Sequence, residues 1–261
     1  MTSGPTLISS RDNALLVRLR KLAHDPGAYR KLGAVWLEGD HLCEACVSRG
    51  HMPAQAVVSE AGWADSRLQQ LARAAPRIAI VADALFAQLS SLESPARLGF
   101  VLDHAVDAVA VQAGVATVVL DRLQDAGNVG SVLRSAAALG VAQVVALTGT
   151  AALWSPKVLR AGMGAHFALR LVESAAVEDL DALAVPLLAT SSHAGFSLAE
   201  GRLPSPCGWV FGHEGQGVGE ELLARCAETR RIPQPGGEES LNVAAAAAIC
   251  LYESLRQRRS V

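Results

Sequence analysis

Residues 209–218 read Trp209-Val210-Phe211-Gly212-His213-Glu214-Gly215-Gln216-Gly217-Val218, an apolar strand running straight into a turn with three glycines. A helix is expected next, over 220–226. Strand, loop and helix in that order form the unit of an α/β fold, and a continuous apolar strand is what a sheet covered on both faces requires. The same alternation extends outward. Strands are expected at 117–120, 143–147, 186–190 and 230–233, with a short segment near 169–172. Helices are expected at 128–139, 156–162 and 178–183, and a long closing helix runs from 240 to 258. Upstream, a helix at 9–22 with Leu15, Leu16, Leu19 and Leu22 on one stripe is started by Ser9 or Ser10. Strands at 35–37, 56–59 and 78–82 alternate with helices at about 41–48, 66–74 and 83–89, which implies parallel pairing there too. The stretch 102–114 carries two Asp and a Gly and sets the expected boundary between a domain over 1–108 and one over 109–261.

Composition narrows the class. The 261 residues are 51% hydrophobic and 18% charged, enough apolar content for a sizeable core, and aromatics make up only 4%, which suits tightly packed α/β layers. A formal net charge of -2 offers no global attraction to phosphate, so nucleic-acid binding must rest on local basic patches. Five scattered cysteines do not form a disulfide framework and fit a reducing cytoplasm. The N-terminal residues lack a basic region followed by an apolar stretch, and the longest apolar run, 243–251, is far short of the roughly 20 residues that span a bilayer. A soluble cytoplasmic protein without a membrane partner is expected.

Three segments carry chemistry. In the first, Asp121-Arg122-Leu123-Gln124-Asp125-Ala126-Gly127-Asn128-Val129-Gly130 leads from a strand into a helix, with Arg134 one turn beyond Gly130. Exposed amides at such a helix start favour an anion, and the guanidinium suits phosphate; a plain helix start with a surface arginine reads equally well. The spacing is not the Gly-x-Gly-x-x-Gly of dinucleotide sites. In the second, Phe211–Val218, glycines let a ligand approach the backbone, and Glu214 stands where parallel strands present active sites; the alternative is an ordinary strand-to-helix turn. The third is Ile232-Pro233-Gln234-Pro235-Gly236-Gly237-Glu238-Glu239-Ser240-Leu241-Asn242-Val243 and the alanines after it. Ser240 is the expected N-cap and Asn242 lies in the first turn, able to face a ligand; alone, a capped, alanine-rich core helix explains it as well.

Taken in order, the three segments resemble the SpoU (TrmH-type) branch of the SPOUT RNA methyltransferases, over about residues 115–258. Asn128, Gly130 and Arg134 match the family's Asn-x-Gly-x-x-x-Arg. Gly212, Glu214, Gly215 and Gly217 match its Gly-x-Glu-Gly-x-Gly loop, and Ile232, Pro233 and Ser240–Val243 match its third signature. Asp125-Ala126-Gly127 departs from the frequent Asp-Pro, and Ala244 replaces a frequent serine. More weakly, Trp36-Leu37-Glu38-Gly39-Asp40-His41-Leu42-Cys43-Glu44-Ala45-Cys46 is similar to the substrate-binding domain that precedes the catalytic domain in rRNA-directed members, a smaller α/β domain like a ribosomal protein.

The resemblance implies a C-terminal parallel-sheet SPOUT domain with a deep trefoil knot, S-adenosylmethionine as cofactor, and a homodimer with active sites across its interface. It implies cofactor contacts from Gly212, Ile232 and Leu241, RNA contacts from Asn128 and Arg134, and catalytic roles for Arg134, Glu214, Ser240 and Asn242. The implied reaction is methyl transfer to a ribose 2′-hydroxyl of structured RNA, rRNA before tRNA. The same chemistry on tRNA and a non-catalytic RNA-binding or assembly factor stand as alternatives. An arginine releases its proton reluctantly, so Arg134 is expected to bind phosphate and stabilise developing alkoxide charge, with Glu214 as base if burial raises its pKa. No metal is expected: His41, Cys43, Cys46 and His51 suggest zinc, but Cys43 and Cys46 sit at i,i+3 of one helix with no second pair and read as core. Arg160 and His166 read as RNA-entrance or solvated residues, Arg256–Arg259 as favouring a helix C-terminus, and Arg18, Arg20, Lys21, Arg30 and Lys31 as a basic cluster or a solvated face.

Overall fold

The computed structural model describes residues 4–90, 95–105, 109–236 and 240–259, the last without its side chain. The chain forms two compact units, one gathering residues 1–107 with Trp154–Phe167, the other Ala108–Leu153 with Ala168–Val261. The expected boundary at 108/109 touches residues 106–108, outside the described residues.

The first unit runs β1 (Thr6–Ile8), α1 (Ala14–His24), α2 (Ala28–Leu32), β2 (Ala34–Glu38), α3 (Asp40–Ser48), β3 (Gln55–Ser59), α4 (Glu60–Trp63), α5 (Ser66–Ala72), β4 (Ile78–Val81), α6 (Asp83–Ala87) and β5 (Leu98–Asp103). Its sheet order is β1-β4-β3-β5-β2. The expectation of parallel pairing throughout is corrected here: β5 runs antiparallel to both β3 and β2. Sequence reading passed over β5 because Gly99 and Asp103 interrupt its apolar run. The glycine is required by packing, since a Cβ at Gly99 would lie 2.1 Å from the Trp36 ring on β2. The first helix also starts later than expected, with Asn13 rather than Ser9 or Ser10 accepting the Leu15 N–H at 2.9 Å.

Helix α8 (Pro156–Gly162) belongs to this first unit, although sequence reading grouped it with 109–261. Aromatic packing holds the excursion: Trp154 lies 5.4 Å from the His104 ring and 5.0 Å from His166, and Phe167 lies 5.1 Å from His51. His166 is therefore buried rather than solvated. Cys43 and Cys46 are buried, and burial raises both thiols, Cys46 to about 11. Among the described residues no group of three or more His, Cys, Asp or Glu is placed to hold a metal ion. In the basic cluster, Arg18 and Arg20 donate to the carbonyls of Leu32 and Arg11.

The second unit runs β6 (Thr117–Leu120), α7 (Ala126–Ala138), β7 (Gln143–Leu147), β8 (Arg170–Ala175), a 3-10 helix (Glu178–Leu183), β9 (Leu187–Ser191), β10 (Phe196–Ser197), β11 (Gly208–Phe211), α9 (Glu220–Leu223), β12 (Glu228–Arg231) and α10 (Val243–Arg259). All seven strands are parallel, in the order β10-β12-β9-β11-β6-β7-β8. Register aligns Ala189, Val210, Val119, Val145 and Val172 in one buried row, and Leu180, Leu183 and Leu222 complete that core. On the neighbouring positions, Trp209 donates its indole N–H to Ser254 Oγ at 2.9 Å and ties α10 to β11. Helix α10 also packs on α7, a close approach its alanines permit. No described helix is long and apolar enough to cross a membrane.

Candidate active site

Because β9, β11 and β12 are parallel neighbours, the loops at their C-terminal ends open on one edge of the sheet, where such folds hold ligands. A cavity of about 790 Å³ lies there, walled by residues 190–194 at the end of β9, 211–218 at the end of β11, Ile232 and Gln234 after β12, and the start of α10. Gly212, Ile232 and Leu241, the expected cofactor contacts, all line it, as do Glu214, Ser240 and Asn242. Asn128 and Arg134 do not.

The β11 loop is folded back on itself. A Cβ at Gly212 would lie 2.2 Å from both Gly217 C and Val218 N, so only glycine lets the two ends of the loop touch. Gly217, at φ +69°, donates its N–H to the His213 carbonyl at 2.8 Å, and His213 Nδ1 accepts the N–H groups of Gly215 at 3.0 Å and Gln216 at 3.3 Å. The exit of the loop is pinned by Asp121, a buried carboxylate just past β6 that accepts the Gly219 N–H at 2.8 Å. Arg122 clasps the same carboxylate through Nε at 2.7 Å and Nη2 at 3.0 Å, and its Nη1 donates to Gln216 Oε1 at 3.2 Å. Burial opposes ionisation of Asp121, but the Arg122 guanidinium and the Gly219 N–H outweigh it and hold the carboxyl below its ordinary range.

That depressed pKa fixes a pH dependence. The stabilisation from Asp121 is fully present above the unfolded carboxylate pKa and is lost as pH falls through the lower folded value. Asp121→Ala leaves the half-buried Gly219 N–H without its acceptor and should cost about 1–3 kcal/mol at neutral pH. Denaturant melts of both proteins should show this gap at pH 7 and its closure in acid; an equal gap at both pH values would contradict the role.

A polar chain joins the three signature segments. Asn242 Nδ2 donates to Asn128 Oδ1 at 3.0 Å, and Asn128 Nδ2 donates to Glu214 Oε1 at 3.3 Å. Glu214 also accepts the backbone N–H groups of Gln124 at 3.4 Å and Asp125 at 3.3 Å. Desolvation acts to raise the Glu214 carboxyl, yet these hydrogen bonds prevail and hold it below its ordinary value. The condition for Glu214 as a base, a pKa raised by burial, is thus not met; the residue is exposed and engaged in positioning the start of α7.

The expected cap is corrected as well. Asn242, not Ser240, starts α10: its Oδ1 accepts the N–H groups of Ala244 at 2.9 Å and Ala245 at 3.4 Å. Ser240 stands three residues before Val243, too far to reach those amides, and its place is on the cavity wall. Arg134 lies on the exposed side of α7, opposite the buried Val129, Val132, Leu133 and Ala136. Among the described residues its side chain has no hydrogen-bond or ion-pair partner. Arg256 pairs with Glu253 at 2.7 Å, and Arg258 donates to the Leu139 carbonyl at 3.2 Å; the side chain of Arg259 lies outside the described residues.

Sequence reasoning missed Asp121, Arg122, Gln234 and the wall at 190–194. Only Asp121 left a signal, as a carboxylate directly after a buried strand. Cys250 also lines the cavity, and burial pushes its thiol up to about 12, so it offers no thiolate there.

The cavity fits a nucleoside-bearing cofactor. Its volume is that of a small-molecule site, Ile232 and Leu241 supply apolar walls, and Gln234 Oε1 is a buried acceptor with no partner among the described residues.

Comparison with known proteins agrees with this geometry. The profile of the SpoU rRNA Methylase family matches residues 116–252. An uncharacterized tRNA/rRNA methyltransferase of Synechocystis sp. is 32% identical over 99% of this chain and 96% of its own length. The 23S rRNA (guanosine(2553)-2′-O)-methyltransferase RlmP of Bacillus subtilis is 28% identical over 94% of this chain and 97% of its own. The crystal structure of the SpoU methyltransferase AviRb from Streptomyces viridochromogenes with AdoMet superposes with a TM-score of 0.84 at 25% identity, covering 95% of this chain and 99% of that one.

Proposed function

The chain belongs to the SpoU rRNA methylase family, and from that premise we propose that it transfers a methyl group from S-adenosylmethionine to a ribose 2′-hydroxyl in rRNA. The observation that carries this reading is the polar chain Asn242–Asn128–Glu214, which brings three segments far apart in sequence to the rim of one cavity. Neither a helix start, a glycine turn nor a capped helix taken alone requires that meeting. A non-catalytic assembly factor has no use for it either.

When bound, S-adenosylmethionine supplies an electrophilic methyl carbon on a sulfonium. Gly212, Ile232 and Leu241, which line the cavity, would hold it by backbone and apolar contact. A ribose oxygen taking that methyl would lose its hydroxyl proton to solvent water and leave S-adenosylhomocysteine as the other product. Arg134 binds the RNA phosphate and stabilises charge developing on that oxygen, a task suited to a permanently protonated donor. Glu214 and Asn128 set the start of α7, and Ser240 and Asn242 orient the ribose.

Arg134 does not line the cavity of its own chain, so the site is read as completed across a homodimer, where this exposed arginine meets the cavity of the other protomer. Exposed Leu241, Ile249 and Tyr252 on and beside α10 support such an interface. The same reading includes a trefoil knot at this end of the domain, as the family resemblance implies. The first unit is read as the RNA substrate-binding domain, and the five free cysteines suit a cytoplasmic enzyme. The test is transfer of labelled methyl to rRNA followed by digestion to nucleosides. Label in 2′-O-methylnucleosides is expected; label only in methylated bases, or none, would overturn the proposal.

A further inference from the structure

Gln234 stands two residues past Ile232, on the loop that leaves β12, and lines the cofactor cavity. Its Oε1 is buried and has no hydrogen-bond partner among the described residues. The Trp36 and Glu38 side chains each hold an atom in that condition, both in the first unit. An amide oxygen shut away from water without a donor costs free energy, and a ligand donor removes that cost. The side chain borders the cavity, so the donor it lacks is one that a molecule bound there would bring.

The chemistry of the neighbours selects the donor. Gln234 is neutral and lies near the apolar wall of Ile232, Leu241 and Cys250. Such a wall suits the flat purine, the one part of S-adenosylmethionine whose desolvation costs little. The ammonium of the methionyl end calls for an anion, its carboxylate is repelled by an acceptor, and the hydroxyl-bearing Thr190, Ser191 and Ser192 of the same cavity suit the ribose hydroxyls. The donor left on the purine is the 6-amino group. We propose that Gln234 accepts a hydrogen bond from this amine and so selects adenine over purines that lack a donor at position 6. The inference rests on the S-adenosylmethionine reading above.

Calorimetric titration of the full chain with S-adenosylhomocysteine, and with its analogue in which purine lacking the 6-amino group replaces adenine, tests it. Wild type should bind the analogue about tenfold more weakly, the effect of one lost hydrogen bond in a buried site. Gln234→Leu should bind both ligands within about twofold of each other, while Gln234→Glu, which keeps an acceptor oxygen, should retain the gap. Circular dichroism melts confirm that each variant is folded. A gap that persists in Gln234→Leu, or no gap in wild type, overturns the role of Gln234 and leaves the cofactor assignment standing. Failure of folded wild type to bind S-adenosylhomocysteine at all overturns the cofactor reading itself.

Discussion

Arg134→Ala should reduce methyl transfer by about 10²–10³-fold, the scale for deleting one donor that stabilises charge in a transition state. Affinity for S-adenosylhomocysteine should stay within about twofold, because the side chain is outside the cavity and has no partner to release among the described residues. Single-turnover rates and calorimetry separate the two effects. Lysine should not restore the rate, since a point charge lacks the fork that holds phosphate and alkoxide together. The variant also tests where the arginine works. Inactive Arg134→Ala and Asn242→Ala proteins, unfolded together and refolded as a mixture, should regain about a quarter of wild-type activity if each site takes Arg134 from one protomer and Asn242 from the other. Half the dimers are then mixed, and one of their two sites is intact. No recovery would place Arg134 and Asn242 in the same protomer's site, against the proposed arrangement.

Gly212→Ala should weaken S-adenosylhomocysteine binding by about tenfold to a hundredfold, the consequence of overpacking by one methyl group. The added Cβ meets backbone at 2.2 Å on both Gly217 and Val218, and backbone cannot rotate out of the way as a side-chain tip does. The loop must open, and with it the hydrogen bonds that His213 Nδ1 makes to Gly215 and Gln216. The rest of the second unit rests on buried rows such as Val119, Val145 and Val210, so it should melt near the wild-type temperature. Unchanged affinity would show that the folded loop is not what shapes the cofactor wall.

Much of the fold is legible because parallel, doubly covered strands are short continuous apolar runs, as in Thr117–Leu120, Gln143–Leu147 and Gly208–Phe211. The antiparallel β5 was not, because Gly99 breaks its apolar run and what holds the strand is pairing with β2 and β3, with the Trp36 ring against Gly99 across 63 residues of sequence. The start of α10 was misplaced for a different reason. Ser240 and Asn242 are both good caps, and only the position of Val243 as the first helical residue decides between them. In the site, motif spacing found Gly212, Ile232, Leu241, Glu214, Ser240 and Asn242, which share one cavity. It did not reveal that Asn128 bridges Glu214 and Asn242, nor that Asp121 pins Gly219, because such bonds across about a hundred residues leave no periodic trace. The departures from the family pattern proved local: Asp125 still accepts the Asn128 N–H at 2.8 Å and starts α7 without a following proline.

The central claim is methylation of a ribose 2′-hydroxyl in rRNA, and mapping 2′-O-methyl positions in total RNA with and without the gene tests it most directly. A 2′-O-methyl group blocks alkaline cleavage of the adjoining phosphodiester, so each position is read as a gap in the hydrolysis ladder. The account predicts that a gap in rRNA disappears without the gene and returns with the wild-type chain but not with Arg134→Ala. An rRNA ladder identical with and without the gene would contradict it.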